Sequence, residues 1–291
     1  MLRTKNTLLS ILSIALPCLL GIVAMAANGI SPGIWIRNAA VIALLSLLSF
    51  LIPRPARQDL KLPNTMILCA AILSLLLPFF QEGVDGVRRW ISGSFLSLHV
   101  SMLILPVSIL ALYNLLEEGK AVLFIVGALA ISLLLFLQPD ASQFTGFSVA
   151  IGCCMLQKNH GRAFPSAGKA IVCGALFVLS ALSWRLSDNL PPVDYVEGVL
   201  ALLGHVSSVL YLVGLLSLCL IPILLFALSS HPMKAPSLCI ALYYASIIAA
   251  PLFGSYPVPF MGYGLSPIVG YFIALFCLTL QGGWSKENPK A

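Results

Sequence analysis

Apolar runs of about 16–25 residues, separated by short polar stretches, recur along the whole chain. Runs of this length cross a bilayer as helices, because a helix satisfies its own backbone where there is no water to do so. The alternation that a membrane β-barrel requires is absent. The pattern predicts ten spans, at 7–27, 35–52, 64–80, 98–116, 121–137, 141–157, 169–184, 203–229, 236–254 and 261–280. The expected fold class is all-α, a polytopic membrane helical bundle of about ten transmembrane helices. It forms a single membrane domain over 1–291, with a polar C-terminal tail from about 281. Several spans are short, which implies tilt or local thinning of the bilayer. The first run is too long for a signal-peptide core and more spans follow it, so it reads as the first membrane helix.

Composition agrees. Of 291 residues 59% are hydrophobic and 9% charged, against about 25% charged in soluble domains. The mean hydropathy is +1.01. A net charge of +6 does not point to nucleic acid, since the basic residues scatter through loops. Arg3, Lys5, Arg54, Arg57, Lys61, Lys120, Lys158, Arg162, Lys169, Lys234, Lys286 and Lys290 fall on one side of the predicted topology. Only Arg37, Arg88, Arg89 and Arg185 fall on the other. By the positive-inside rule the first side is cytoplasmic and both termini lie inside. The outer side carries Glu82, Asp85, Asp140, Asp188, Asp194 and Glu197 besides those four arginines, so a functional site is expected to face outward. All eight cysteines lie in apolar runs without metal-ligand spacing and read as filler.

Four stretches carry candidate chemistry. In the first, at 83–99, Arg88-Arg89-Trp90 either holds a pyrophosphate through paired guanidiniums or anchors the interface, with Arg snorkelling and Trp in the aromatic belt. In the second, Gln138-Pro139-Asp140 stands at the outer end of the fifth span. A charge there costs up to about 2.5–3.5 kcal/mol at full depth and requires a partner, for which Arg88 or Arg89 is the candidate. Asp140 equally fits the N-cap of the sixth helix. In the third, Pro191 and Pro192 force an extended approach to Asp194, which serves either as a general base on a sugar hydroxyl or as a solvated loop acid. In the fourth, at 255–267, three prolines and two glycines predict a broken or re-entrant helix start. Such backbone lines a cavity or is buried in protein. His205, within the eighth span, reads as packed and hydrogen-bonded in the bundle. His160 and His231 read as solvated.

Taken in order, these stretches resemble the SEDS family (shape, elongation, division and sporulation), which includes FtsW, RodA and SpoVE. Gly86-Val-Arg-Arg-Trp-Ile91 is similar to its Gly-Ala-Arg-Arg-Trp-Ile motif, and Leu137-Gln-Pro-Asp140 matches its Leu-Gln-Pro-Asp. Pro191 through Tyr195 resembles its Pro-Glu-Ala-His-Thr-Asp-Phe, with Asp194 on the Asp. The stretch from Pro259 to Ser266 resembles its Pro-Phe-Ile-Ser-Tyr-Gly-Gly-Ser and contains Tyr263. The resemblance implies a glycosyltransferase of the bacterial inner membrane that polymerises lipid II into peptidoglycan, serves cell shape or division, and works with a class B penicillin-binding protein. It implies Asp194 as general base, Arg88, Arg89 and Trp90 beside the lipid pyrophosphate, and Gln138, Asp140 and Tyr263 in the supporting site. No cofactor is implied, and a divalent metal is left open. The family's Glu and Lys on the fourth helix are replaced here by Met102 and Leu105, and its large outer loop before the Asp is shortened to about a dozen residues. These departures set a non-catalytic scaffold, binding an envelope partner or lipid-linked precursor, beside the transferase. A flippase of polyprenyl-linked precursors is the third reading.

Overall fold

The computed structural model describes residues 2–51, 63–93, 97–157, 166–186 and 190–281, with the backbone alone for residues 2–5 and 166. The described residues form eleven α-helices and one short hairpin. In order these are α1 (Leu2–Ala27), α2 (Pro32–Leu51), α3 (Asn64–Leu76), β1 (Trp90–Ser92), β2 (Ser97–His99), α4 (Val100–Glu117) and α5 (Ala121–Leu137). There follow α6 (Ala141–Leu156), α7 (Ser166–Ser183), α8 (Val199–Val206), α9 (Ser208–Ala227), α10 (Lys234–Ala249) and α11 (Ser266–Leu280). Single 3₁₀ turns extend α3 over Leu77–Phe80 and α10 over Ala250–Leu252, each carrying a proline that ends the α-helical ladder.

Among the described residues five helices are long and apolar enough to cross a membrane, and five more are shorter apolar helices. The exposed positions explain this composition. Leu44 and Leu47 of α2, Leu133 of α5, Phe177 of α7 and Leu216 of α9 all point away from the bundle. In lipid such a surface is simply solvated. The centre is α4, which buries fourteen of its eighteen residues, whereas α2 buries only Asn38 and Ile42. Small residues let the central helices approach closely, as in other membrane bundles. A Cβ on Gly270 of α11 would lie 2.3 Å from the Met102 carbonyl oxygen of α4. Pro17, Pro106 and Pro222 sit inside α1, α4 and α9, where neighbouring helices and side chains can satisfy the freed carbonyls.

Three expectations are corrected. The run at 203–229 is not one span: it breaks at Ser207, whose backbone is extended and whose hydroxyl accepts from the Val209 N–H at 3.2 Å. Leu200 and Leu203 of α8 lie against Gly214 of α9, so α8 folds back along the first turns of α9. The last span begins at Ser266 rather than at 261, because 253–265 is irregular. Finally, α6 has 16 residues, a length of roughly 24 Å. Tilt would shorten its reach further, so local thinning of the bilayer is the accommodation that fits.

Loops gather on two faces. One holds the hairpin, the α5–α6 junction, residues 190–198 and 250–265. The other holds the start of α1 and the end of α11, tied near Leu228 by Asn6 and near Asn114 by Gln281. Of the basic residues that set the predicted orientation, Arg54, Arg57, Lys61, Lys158, Arg162, Lys286 and Lys290 lie outside the described residues, as do Asp188 and His160. His205 is exposed at the end of α8, not packed in the bundle as expected.

Candidate functional site

The loop between α3 and α4 is built from a tight turn and a hairpin. Val84 and Val87 exchange both backbone hydrogen bonds, at 3.1 and 2.9 Å, around Asp85-Gly86. Both turn residues have positive φ, 48° and 82°, the conformation that favours Asp-Gly in two-residue turns. Beyond it the chain is extended, so successive side chains face opposite ways. Arg88 points outward and is exposed, while Arg89 turns inward and is 3% exposed. Strand β1 then pairs antiparallel with β2, Trp90 opposite His99.

Arg89 is fastened to the end of α5. Its Nε donates to the Gln138 carbonyl at 3.2 Å and its Nη2 donates to the Pro139 carbonyl. The Trp90 and Tyr256 rings each lie 5.9 Å from the guanidinium carbon. Carbonyls at a helix C-terminus carry partial negative charge, which suits a cation. Gln138 is fully buried and donates from Nε2 to the Leu75 carbonyl at 2.7 Å, locking α3 to α5.

Asp140 stands at the centre of a buried polar knot. Its Oδ1 caps α6 by accepting from the Gln143 N–H at 3.4 Å, so the capping role is observed. Its Oδ2 accepts from the Ser101 hydroxyl at 2.9 Å and lies 3.5 Å from His99 Nε2. Ser101 also contacts His99 Nδ1 at 3.0 Å. Ser101 and His99 both face this carboxylate, and Arg89 is fastened to the two carbonyls preceding it. The trio is not a hydrolase triad, since Ser101 is wholly buried and gives its proton to Asp140 rather than to a histidine. His99 precedes the α4 span and donates its own N–H to the Ser266 hydroxyl at 2.8 Å, joining the hairpin to α11. Burial pulls its imidazole down to about 4, against the nearby Asp140 charge and with a further push from Arg89.

Asp194 lies in a second cluster. Residues 193–198 form a compact turn in which the Val193 N–H donates to Glu197 Oε2 at 2.7 Å. The turn is zipped to the irregular stretch before α11: the Val258 N–H donates to the Val196 carbonyl at 3.1 Å and the Tyr263 N–H to the Tyr195 carbonyl at 2.8 Å. The stretch before α11 re-enters the bundle. Met261 packs against Gly21 of α1 and Gly214 of α9, each six residues from its helix end, or roughly 9 Å inside. Phe260 and Met261 are wholly buried, so protein shields this irregular backbone from lipid, as membrane depth demands. Asp194 itself is exposed. Beside it Tyr195 and Tyr263 meet edge to face at 6.1 Å, and Arg37 of α2 donates to the Tyr263 hydroxyl at 3.1 Å. Asn38 donates to the Gly262 carbonyl at 3.0 Å and holds the same loop.

The structure thus joins Arg89, Trp90, Gln138 and Asp140 in one buried knot, and places Asp194 and Tyr263 in an exposed cluster on the same face. The stretch 253–265 touches both, through Tyr256 and through Tyr263. His99 closes the first candidate stretch as an ionisable group near the membrane, but sequence reading missed Ser101 and Arg37 as members of these clusters; the polar pair His99 and Ser101 ahead of an apolar helix was the available signal. Met102 and Leu105, where the SEDS pattern has Glu and Lys, are buried in apolar packing.

No family model matches the chain, and no curated protein matches it. Solved structures do. The crystal structure of the rod shape determining protein RodA of Thermus thermophilus aligns with a TM-score of 0.66 at 21% identity, over 93% of this chain and 94% of RodA. A single-site variant of the same protein gives 0.68 at 21% identity, over 93% and 95%. A chain from a study of the structural coordination of polymerization and crosslinking by a peptidoglycan synthase complex gives 0.65 at 17%, over 96% and 98%. The chain is a membrane protein with the polytopic helical fold of RodA, the fold implied by its four SEDS-like motifs.

Proposed function

We propose that the chain is a SEDS-like protein of cell-wall synthesis that acts on a lipid-linked sugar at the face bearing the hairpin. The observation that carries this reading is the exposure of Asp194 in a turn zipped to the re-entrant stretch before α11. A carboxylate close to the bilayer is tolerated where it faces water rather than lipid, which suits a base at the outer end of the bundle. In the proposed reaction Asp194 accepts the proton of an acceptor sugar hydroxyl. The freed oxygen bonds to the anomeric carbon of the donor, and the lipid pyrophosphate departs with the electrons of the broken bond. Arg88, exposed on the same face, meets the developing phosphate charge, a term of large effect in such transfers. Arg89 fixes the strand that presents Arg88. The proposed setting is the bacterial inner membrane with both termini cytoplasmic.

A second reading is favoured by Met102 and Leu105. Their apolar packing replaces the charged pair of the family pattern, as suits a scaffold that binds a precursor or a class B penicillin-binding protein without turnover. Lipid II polymerisation by the purified protein, wild type beside Asp194→Asn, with and without a divalent metal, separates the two. Glycan chains from wild type alone support the transferase. No product from folded wild type removes it, and co-purification with the penicillin-binding protein then tests the scaffold.

A further inference from the structure

A cleft of about 520 Å³ opens between α6 and α7. Thr145, Ser148 and Gly152 form one wall, Phe177 and Ser180 the other, and Trp184 stands at the end nearer the hairpin face. From Thr145 to Gly152 it runs roughly 10 Å along α6. Phe177, 74% exposed, marks its opening toward the bilayer.

The rim is polar and satisfied. Trp184 Nε1 donates to the Thr145 hydroxyl at 2.8 Å, and Thr145 shares a hydrogen bond with Ser180 at 2.9 Å. One helical turn deeper, Ser148 lines the cleft and is nine-tenths buried, and its hydroxyl has no hydrogen-bond partner among the described residues. A hydroxyl left unpaired in apolar surroundings is costly, so this position calls for a polar atom on whatever fills the cleft. Three features narrow the occupant. A helix takes up roughly 400–600 Å³ per turn, so the cleft holds about one turn and does not fit a partner's spanning helix. None of the lining residues is charged, which disfavours a phosphate or pyrophosphate within it. A polyprenyl chain offers no acceptor a turn below its head, whereas a fatty-acyl ester carries a carbonyl just there.

We propose that the α6–α7 cleft binds an ester-linked glycerophospholipid, one acyl chain lying along Gly152 and Phe177 and its ester carbonyl accepting the Ser148 hydroxyl. The headgroup then sits beyond Trp184. The site stands independently of the transferase reading. The test uses delipidated full-length protein in detergent, titrated with dioleoyl phosphatidylglycerol, its dialkyl ether counterpart and undecaprenyl phosphate, with binding read by native mass spectrometry. Wild type is expected to bind the ester lipid about three- to tenfold more tightly than the ether lipid, the size of one net hydrogen bond. Ser148→Ala should bind both at the level of the ether. A Cβ built on Gly152 meets nothing within 4 Å, so Gly152→Leu should fold and block both phospholipids. Equal binding of ester and ether lipids by wild type overturns the proposal. So does preference for undecaprenyl phosphate, or unchanged binding by folded Gly152→Leu. If Gly152→Leu does not fold, the Ser148→Ala comparison decides.

Discussion

Arg89 donates from Nε to the Gln138 carbonyl across 3.2 Å, so the inner arginine of the pair is committed to the end of α5 while Arg88 remains exposed. The neighbours should therefore fail differently. Arg89→Ala removes the donor to the buried Gln138 carbonyl and the half-buried Pro139 carbonyl and should cost about 3 kcal/mol. Arg89→Lys should recover only part, since an ammonium lacks the planar fork. Arg88→Ala should change stability by no more than about 0.5 kcal/mol while weakening binding of a lipid-linked pyrophosphate. Thermal unfolding in detergent, beside a binding titration, reads both.

His99 makes stability depend on pH. Burial is the leading cause that lowers its folded value to about 4, against an ordinary value of 6.5. Between these values the unfolded chain binds a proton that the folded chain refuses, so stability falls as pH drops from about 6.5 toward 4 and is fully present above that window. Asp140 and Arg89 face the same ring and pull in opposite directions. Unfolding midpoints measured from pH 7.5 to 4.5 should decline in wild type and decline less in His99→Gln.

Close approach through glycine seats the re-entrant loop. A Cβ on Gly21 would stand 2.0 Å from the Met261 carbonyl oxygen, and one on Gly262 would stand 2.5 Å from that of Val196. Gly21→Ala and Gly262→Ala should each cost about 1–3 kcal/mol, or more, as overpacking and should disturb the Asp194 turn. At Gly174 in α7 a Cβ meets nothing within 4 Å, so Gly174→Ala should be neutral or stabilise by up to about 1 kcal/mol. The three midpoints, measured side by side, check the ordering.

The corner at Ser207 is capped by its own side chain. Ser207→Ala should cost about 1 kcal/mol and Ser207→Thr much less. Proteolysis or hydrogen exchange at 199–211 should show the opening locally.

The approximate position of each membrane crossing was legible in the apolar runs, because lipid imposes one requirement on the backbone at every depth. The Asp140 cap was legible too, as a local property of one helix start. The Asp85-Gly86 turn carries a recognised local signal yet was not expected, since the flanking strands are too short to show alternation. The break at Ser207 was hidden for a different reason: leucine and valine fill both sides of it, and apolar composition does not distinguish one helix from two folded together.

The sequence by itself determined a helical membrane bundle of about ten crossings and a face enriched in acidic residues, since both follow from composition and from motifs read in order. Only the tertiary structure decided that adjacent arginines part company, that His99 and Ser101 face Asp140, and that Met261 of the stretch before α11 dips between α1 and α9. Those outcomes depend on contacts between residues tens to hundreds of positions apart, such as Met261 on Gly21 and Ser266 on His99. Packing sets such contacts, and no local pattern encodes them.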